Sequence, residues 1–213
     1  MSRKQNKKLE KLANDIITNC LMQLPNFEHL HEIRDYSSRR QNDYILTPGE
    51  HIENDINMLC GVDFVYRINI HVDGVNILKT VYIDTKGLTY NEKYYGSIEA
   101  NGVPEFLLLQ VEKYYNNTIL QGWSNNTKYL TNKIVILINN RLLILDYKKL
   151  REFTNNIYVQ NDTKLRSFIN TYSIFFYKNL RWFNHKKYNS NYEITVQIST
   201  NELIEKSILT YIA

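Results

Sequence analysis

An acid and an amine stand two residues apart in the stretch VYIDTKG (81–87), namely Asp84 and Lys86. The β-branched and aromatic residues around them predict a strand. Side chains two residues apart in a strand leave the same face, so Val81 and Ile83 would occupy the opposite one. Such an Asp/Lys pair is either a solvated edge or half of a metal site.

The residues before this strand predict a hairpin. Residues 62–71 alternate between two faces, residues 77–86 form the return strand, and Asp73-Gly74 between them is a strong signal for a tight turn. A two-residue turn at this position places Asp63 directly opposite Asp84. Residues that stand opposite each other share a face, with Cβ atoms roughly 4.5–5.5 Å apart.

Two carboxylates at that separation repel each other, and a divalent cation held between Asp63 and Asp84 would remove the repulsion. Mg²⁺ is typically bound by one or two carboxylates together with water and substrate phosphate oxygens. Lys86 lies one side-chain step further along the same face. Its ammonium group could there orient a water molecule or stabilise developing phosphate charge.

The rest of the chain predicts an α/β or α+β fold: a central mixed, largely antiparallel sheet flanked by helices. Helical spacing and capping residues predict helices over 6–23, over Thr47 to about Cys60, over 146–153, and from Ser199 onward with Glu202 completing a capping box. Two further hairpins join 106–115 to TILQGW and 133–138 to 141–145, and a strand covers 192–198. The segment 104–115 could instead be a helix that Pro104 opens.

This order of residues resembles the PD-(D/E)XK nuclease superfamily, which is restriction-endonuclease-like, over roughly residues 47–153. Asp63 stands on one strand, Asp84-Thr85-Lys86 on the next, and a helix with acidic residues comes just before. The later order of GW (122–123), an apolar strand pair and LDYKKLREF is similar to virus-encoded members. The resemblance implies a Mg²⁺- or Mn²⁺-dependent nuclease that hydrolyses phosphodiester bonds in DNA or RNA, with DNA favoured.

The resemblance also implies a set of site residues. Asp63 and Asp84 would bind the metal and act in catalysis with Lys86. A glutamate of the preceding helix would join them, for which Glu53 is the first choice and Glu50 the second. A later Gln or Glu would complete the site, either Gln110 or Glu112. The implied nuclease core is 47–153, preceded by a helix and a basic irregular segment (1–46) and followed by a segment that packs on the core (154–213).

Charge and composition fit an anionic partner. The 213 residues carry a formal net charge of +4, with 26 Lys and Arg against 22 Asp and Glu. The run 172–188 mixes Tyr, Phe and Trp with basic residues, which suits stacking on bases and contacts with phosphates. The alternative for this run is a core helix with a basic rim. Candidate nucleic-acid-binding residues are Arg34, Arg39, Arg40, Arg181, Lys186 and Lys187.

The sequence leaves a non-enzymatic function open, in which a nuclease-like fold serves as a nucleic-acid-binding or assembly protein, a viral one included. Homo-oligomers or larger assemblies fit this alternative. No signal peptide and no membrane-spanning run is predicted. Cys20 and Cys60 stand in apolar helical contexts, which indicates small core residues in a reducing compartment. We therefore expect a cytoplasmic protein, or one in the host cytoplasm or virion if it is viral.

Overall fold

The computed structural model describes residues 3–23, 26–33, 48–115, 117–186 and 191–212, and the described side chains exclude those of 3–7, 10, 29, 30, 53–55, 58, 59 and 212. The protein is mixed α/β, with a mixed sheet, a second antiparallel sheet and flanking helices, which confirms the predicted fold class. No helix among the described residues is long and apolar enough to cross a membrane.

The helices and strands of the described residues are numbered here in chain order. The helices are α1 (Arg3–Met22), α2 (Pro48–Cys60), α3 (Glu92–Tyr95), α4 (Tyr147–Ile157), α5 (Thr163–Thr171) and α6 (Thr200–Glu205). The strands are β1 (Phe27–Glu32), β2 (Phe64–Val72), β3 (Val75–Leu88), β4 (Phe106–Tyr115), β5 (Thr118–Gln121), β6 (Lys133–Ile138), β7 (Arg141–Asp146), β8 (Ile174–Tyr177), β9 (Leu180–Lys186), β10 (Tyr192–Ser199) and β11 (Leu209–Ile212).

The chain divides into two compact units. The first contains Met1–Thr89 and Lys128–Ile144, and the second contains Tyr90–Thr127 and Leu145–Ala213. These units differ from the predicted segments 1–46, 47–153 and 154–213, because the chain leaves the first unit after β3 and returns to it just before β6. A strand order that depends on such a return is not visible in local sequence patterns.

The sheet of the first unit has the strand order β1-β2-β3-β6-β7. β1 with β2 and β2 with β3 are antiparallel, whereas β3 and β6 are parallel. The β2–β3 register pairs Val72 with Val75 and Phe64 with Ile83, and Asp73 and Gly74 form the turn with φ of 50° and 80°. Both residues thus adopt the left-handed backbone that a tight hairpin turn requires. The predicted hairpin and its register are confirmed.

Helix α1 covers one face of this sheet. Its buried residues Ala13, Ile17 and Leu21 pack against apolar side chains of the strands. The strand residues in this core are Phe64, Val81, Ile83, Val135, Leu137 and Leu142. Val81 and Ile83 therefore face the α1 core, as the alternation along β3 predicts, and the side chains between them are left for the other face.

The second unit contains an antiparallel sheet in the order β5-β4-β10-β9-β8. Residues 106–115 are a strand, which settles the alternative between strand and helix. Asp146 and Asp162 accept hydrogen bonds from backbone N–H groups in the first turns of α4 and α5. These carboxylates satisfy donors that lack partners at a helix start.

Several local predictions are wrong. The helical alternative for the run 172–188 is wrong: its described part contains strands β8 and β9, because Lys178 and Asn179 form a turn with φ of 51° and 60°. Aromatic residues also favour strands. Ser199 makes no side-chain hydrogen bond at the start of α6, so the predicted capping box does not form.

Two further predictions fail in the first half of the chain. The segment 26–46 was expected to be irregular, yet its described part contains β1, which pairs with β2. Cys20 is exposed and Cys60 is half-buried, so neither is a core residue. Both are free thiols. Thr47, the predicted N-cap of α2, lies outside the described residues.

The α1 core gives a stability test with a matched control on one helix. Leu21 belongs to the buried cluster, whereas Leu12 is 45% exposed. We expect Leu21→Ala to lower the free energy of unfolding by roughly 2–4 kcal/mol, because the truncation leaves a cavity in packed surroundings. Leu12→Ala should change it by less than about 1 kcal/mol. Urea unfolding followed by circular dichroism measures both; equal losses would show that α1 does not pack through this face.

Candidate active site

Asp63 lies between the end of α2 and the start of β2, and its carboxylate joins several elements. Its Oδ1 accepts a hydrogen bond of 2.8 Å from Asn57 Nδ2 in α2. Its Oδ2 accepts bonds of 2.6 Å from the backbone N–H and the hydroxyl of Thr85 in β3. The backbone N–H of Asp63 donates to Ile83 O at 2.8 Å. The Asp63 side chain is therefore held against Thr85 of β3, whose neighbours in the chain are Asp84 and Lys86.

Asp84 and Lys86 form an ion pair on β3. Lys86 Nζ donates to Asp84 Oδ1 at 2.6 Å. Asp84 is only 2% exposed, whereas the Lys86 side chain is 28% exposed. Their cross-strand neighbours on β6 are Ile134 and Ile136, which are fully buried. The prediction that the acid and the amine share one face is confirmed, but the face is a buried one rather than a solvated edge.

The environment of Asp84 disfavours its charge. Burial is the main cause that raises the pKa of Asp84, and the Lys86 ammonium group acts against it. The Asp63 carboxylate also raises this pKa, because its negative charge repels that of Asp84 and it can accept a hydrogen bond from the protonated form. Together these effects place the pKa of Asp84 at about 7. Asp84 Oδ2 has no hydrogen-bond partner among the described residues. One buried carboxylate oxygen thus points at no donor.

Lys86 stays charged in spite of its position. Burial alone would lower the pKa of Lys86, but the negative charges of Asp84 and Asp63 outweigh it and raise that pKa above its ordinary value. Tyr129 acts on Lys86 in the same direction. The site therefore contains two carboxyl groups, one ammonium group and one phenol within electrostatic reach of one another.

Sequence patterns missed three of the residues that shape this site. Asn57 and Thr85 hold the Asp63 carboxylate, and the helical pattern of α2 and the DxK spacing give only weak hints of them. Tyr129 comes from the segment before β6, more than forty positions from Asp84 in the chain. No local pattern connects it to the hairpin, because the contact depends on the parallel pairing of β3 with β6.

Glu53, Gln110 and Glu50 are the remaining candidates for the predicted site. Glu53 belongs to α2, but its side chain lies outside the described residues. Gln110 lies on β4 of the second unit, where its backbone carbonyl accepts hydrogen bonds from the N–H and the hydroxyl of Ser124. The roles of Gln110 and Glu53 in the site stay predictions. Glu50 is half-buried in the first turn of α2.

Glu112, the alternative to Gln110, has a different environment. It is fully buried on β4 and forms an ion pair with Arg166, whose Nη1 donates to Oε1 at 2.8 Å. Its Oε2 accepts from Arg166 and from Tyr158, and its Oε1 accepts from Tyr192 at 3.1 Å. Both oxygens are thus occupied by donors of the second unit.

Two of the predicted nucleic-acid-binding residues are described by the structure. Arg181 and Lys186 lie on β9, where Lys186 is exposed. The Arg181 guanidinium lies 5.1 Å from the centre of the Phe183 ring, and its Nε has no hydrogen-bond partner among the described residues. Arg34, Arg39, Arg40 and Lys187 lie outside the described residues.

The donor set at Asp63 and Asp84 fits a hard divalent cation, although it is small. Within the described parts of the chain, no three His, Cys, Asp or Glu side chains converge as a metal site. Two carboxylates remain, and the open oxygen of Asp84 is the kind of ligand that Mg²⁺ and Mn²⁺ take. A cation here would complete its shell with water and phosphate oxygens.

No protein-family model, no curated protein and no solved structure matches this chain. The resemblance to the PD-(D/E)XK superfamily stays a prediction from the sequence.

The raised pKa of Asp84 predicts how stability depends on pH in the absence of divalent metal. Between pH about 4 and about 7 the folded protein keeps a proton on Asp84 that the unfolded chain has released. This stabilisation is complete below pH 4 and is lost as pH rises through 7. Relative to Asp84→Asn, the wild type should lose on the order of 4 kcal/mol over this range.

Urea unfolding in EDTA at a series of pH values measures that difference. Asp73→Asn, an exposed change in the β2–β3 turn that Asn also tolerates, controls for the substitution itself. Parallel stability curves for the wild type and Asp84→Asn would contradict a desolvated carboxyl at position 84.

Proposed function

We propose that this protein is a metal-dependent nuclease whose active site is built on Asp63, Asp84 and Lys86. The observation that carries the proposal is the open oxygen of the buried Asp84 carboxylate. An unsatisfied buried acceptor costs about 1–3 kcal/mol. Glu112, equally buried in the same chain, has donors on both oxygens. Among the described residues, Asp84 therefore has one carboxylate oxygen without a hydrogen-bond donor, as expected of a residue that binds a ligand.

The three side chains have distinct parts in the proposed reaction. Asp63 and Asp84 supply oxygen ligands for Mg²⁺ or Mn²⁺, which when bound lowers the pKa of its water and polarises the scissile phosphate. Lys86 places a positive charge next to the phosphate oxygens, where charge develops in the transition state. Water oxygen bonds to phosphorus as the ester P–O bond breaks, and the leaving oxygen takes up a proton. Asn57 and Thr85 keep Asp63 oriented.

The net positive charge supports a nucleic-acid substrate, with DNA preferred to RNA on the strength of the family resemblance. The net charge is +4, and Lys186 is exposed on β9. Contacts with phosphates would be largely independent of base sequence.

A non-enzymatic binding or assembly function is the second candidate, and one observation favours it. Both oxygens of Asp63 already accept hydrogen bonds, and Oδ2 accepts two. Asp84 is already paired with Lys86. A buried network of this kind can also fix one arrangement of α2, β2 and β3 without binding any cation.

Cleavage assays separate the two functions. Plasmid, single-stranded DNA and RNA are incubated with the wild type in Mg²⁺, Mn²⁺ or EDTA. We expect cleavage only with metal. Asp84→Asn should abolish it, because the amide keeps the shape but loses the charge that binds the cation. Lys86→Ala should lower the rate by ~10²-fold or more, and Asp73→Asn should leave it unchanged.

The absence of cleavage with every substrate and metal, together with thermal stability that ignores those metals, would support the non-enzymatic function instead. Loss of cleavage in Asp73→Asn as well would point to a general defect rather than to the site.

Nucleic-acid binding is tested separately from cleavage, in EDTA. Affinity should fall steeply with salt, because each neutralised phosphate releases counterions. Lys186→Glu should weaken binding to all sequences alike and reduce the salt dependence. Lys148→Glu, an equal charge change on the exposed face of α4, should have the smaller effect. Fluorescence anisotropy measures both, and binding that is absent or insensitive to salt would count against a nucleic-acid partner.

A further inference from the structure

Asn14 joins helix α1 to the candidate site. The side chain of Thr85 leaves β3 on the same face as Val81 and Ile83, which pack against α1. Thr85 is fully buried there. Its Oγ1 lies 2.6 Å from Asn14 Oδ1 and also 2.6 Å from Asp63 Oδ2. A chain of three polar side chains therefore runs from α1 through β3 to the Asp63 carboxylate.

Asn14 lies beside the apolar face of α1. Ala13 precedes it and Ile17 follows three positions later, and both of these are buried, whereas Asn14 is half-buried. Asn is a weaker helix former than Ala or Leu, because its side chain competes for backbone hydrogen bonds. A polar group next to a packed core needs a hydrogen-bond partner. The contact with Thr85 supplies this partner and gives Asn14 a role other than helix formation.

The Thr85 hydroxyl limits the directions in which these hydrogen bonds can point. It has one proton and donates one hydrogen bond, but its oxygen can accept others. An ionised carboxylate forms a stronger hydrogen bond than a neutral amide oxygen, so the proton belongs to the bond with Asp63. The Thr85 oxygen must then accept from Asn14. A half-turn of the Asn14 amide brings its NH₂ group to the position of Oδ1 and makes this bond possible.

We propose that Asn14 is a positioning residue of the candidate active site: it donates to the Thr85 hydroxyl and thereby commits the hydroxyl proton to Asp63 Oδ2. That oxygen then has two donors, the hydroxyl and the backbone N–H of Thr85, each at 2.6 Å. Asn57 holds the other oxygen at 2.8 Å. The inference deepens the proposed nuclease function and rests on it for its consequence, since Asp63 is there a ligand of the cation.

The direction of the bond is tested by NMR in EDTA. The Asn14 side-chain amide protons should exchange with water several-fold faster in Thr85→Val than in the wild type, because Val keeps the shape of Thr but removes the acceptor. An Asn14 amide that only accepts would exchange equally fast in both. Asn14→Ala should in turn speed exchange of the Thr85 backbone N–H, which donates to Asp63. Asn19→Ala, the same change at an exposed position of α1, should leave it unaltered.

Mn²⁺ affinity tests the consequence for the site and is measured by electron paramagnetic resonance of the free ion. In a wild type that binds Mn²⁺, Asn14→Ala should weaken binding several-fold and Asn19→Ala should not. Thr85→Val should weaken binding at least as much as Asn14→Ala. The double variant should bind no more weakly than Thr85→Val, because both changes break one chain of hydrogen bonds. A purely structural loss at Asn14 would add to that of Thr85→Val.

Two results would overturn the inference: unchanged exchange of the Asn14 amide in Thr85→Val, or additive losses of Mn²⁺ affinity. If the wild type binds no Mn²⁺ and cleaves nothing, while the exchange rates of the Asn14 amide and the Thr85 N–H change as expected, the nuclease proposal fails and the positioning of Asp63 by Asn14 stands.

Discussion

The removal of the Asp84 carboxylate from water is the constraint around which the first unit is arranged. A charge buried beside Ile134 and Ile136 is costly unless it is paired, and the Lys86 ammonium at 2.6 Å is the partner. Replacing such a pair by apolar residues is often neutral or stabilising. A retained buried pair is therefore weak support for stability, and a role in specificity or function explains it better.

The supports of this pair come from separate parts of the chain. β3 presents Asp84 and Lys86, the end of α2 supplies Asn57, and the segment before β6 supplies Tyr129, whose phenol acts on the Lys86 pKa. Asp63 connects these parts, because its carboxylate bonds to α2 and to β3 at once. Loss of the Asp63 side chain would leave the N–H of Thr85 without its acceptor and Asn57 Nδ2 with only the 3.4 Å bond to Val62 O, so its effects on stability and on the site are coupled.

The hairpin could be predicted from the sequence because its information is local. Asp73-Gly74 specifies the turn, and the turn fixes the register, which pairs Phe64 with Ile83 at the far end of the hairpin. The bonds of the Asp63 carboxylate to Asn57 and Thr85 lie beyond that register and could not be predicted from it. The strand β1 could not be found this way, since FEHLHE is polar and becomes a strand only by pairing with β2. Tyr129 depends on the parallel contact of β3 with β6, for which no turn sets a register. The helical alternative for the run 172–188 fails because the short Lys178-Asn179 turn divides its described part into β8 and β9.

In the proposed function, the open oxygen of Asp84 would have two alternative occupants. A proton on Asp84 can be donated to the Asp63 carboxylate, which removes the repulsion between the two acids. A divalent cation removes the same repulsion and needs Asp84 deprotonated. Since the pKa of Asp84 is about 7, the proton and the proposed cation would compete near neutral pH, and binding of the cation would release a proton. Lys86 remains charged in both states, so the hydrogen bond to Asp84 Oδ1 can persist while Oδ2 exchanges its occupant. The same arrangement of Asp63 and Asp84 would therefore bind a cation when one is present, and share a proton between the two carboxylates when none is bound.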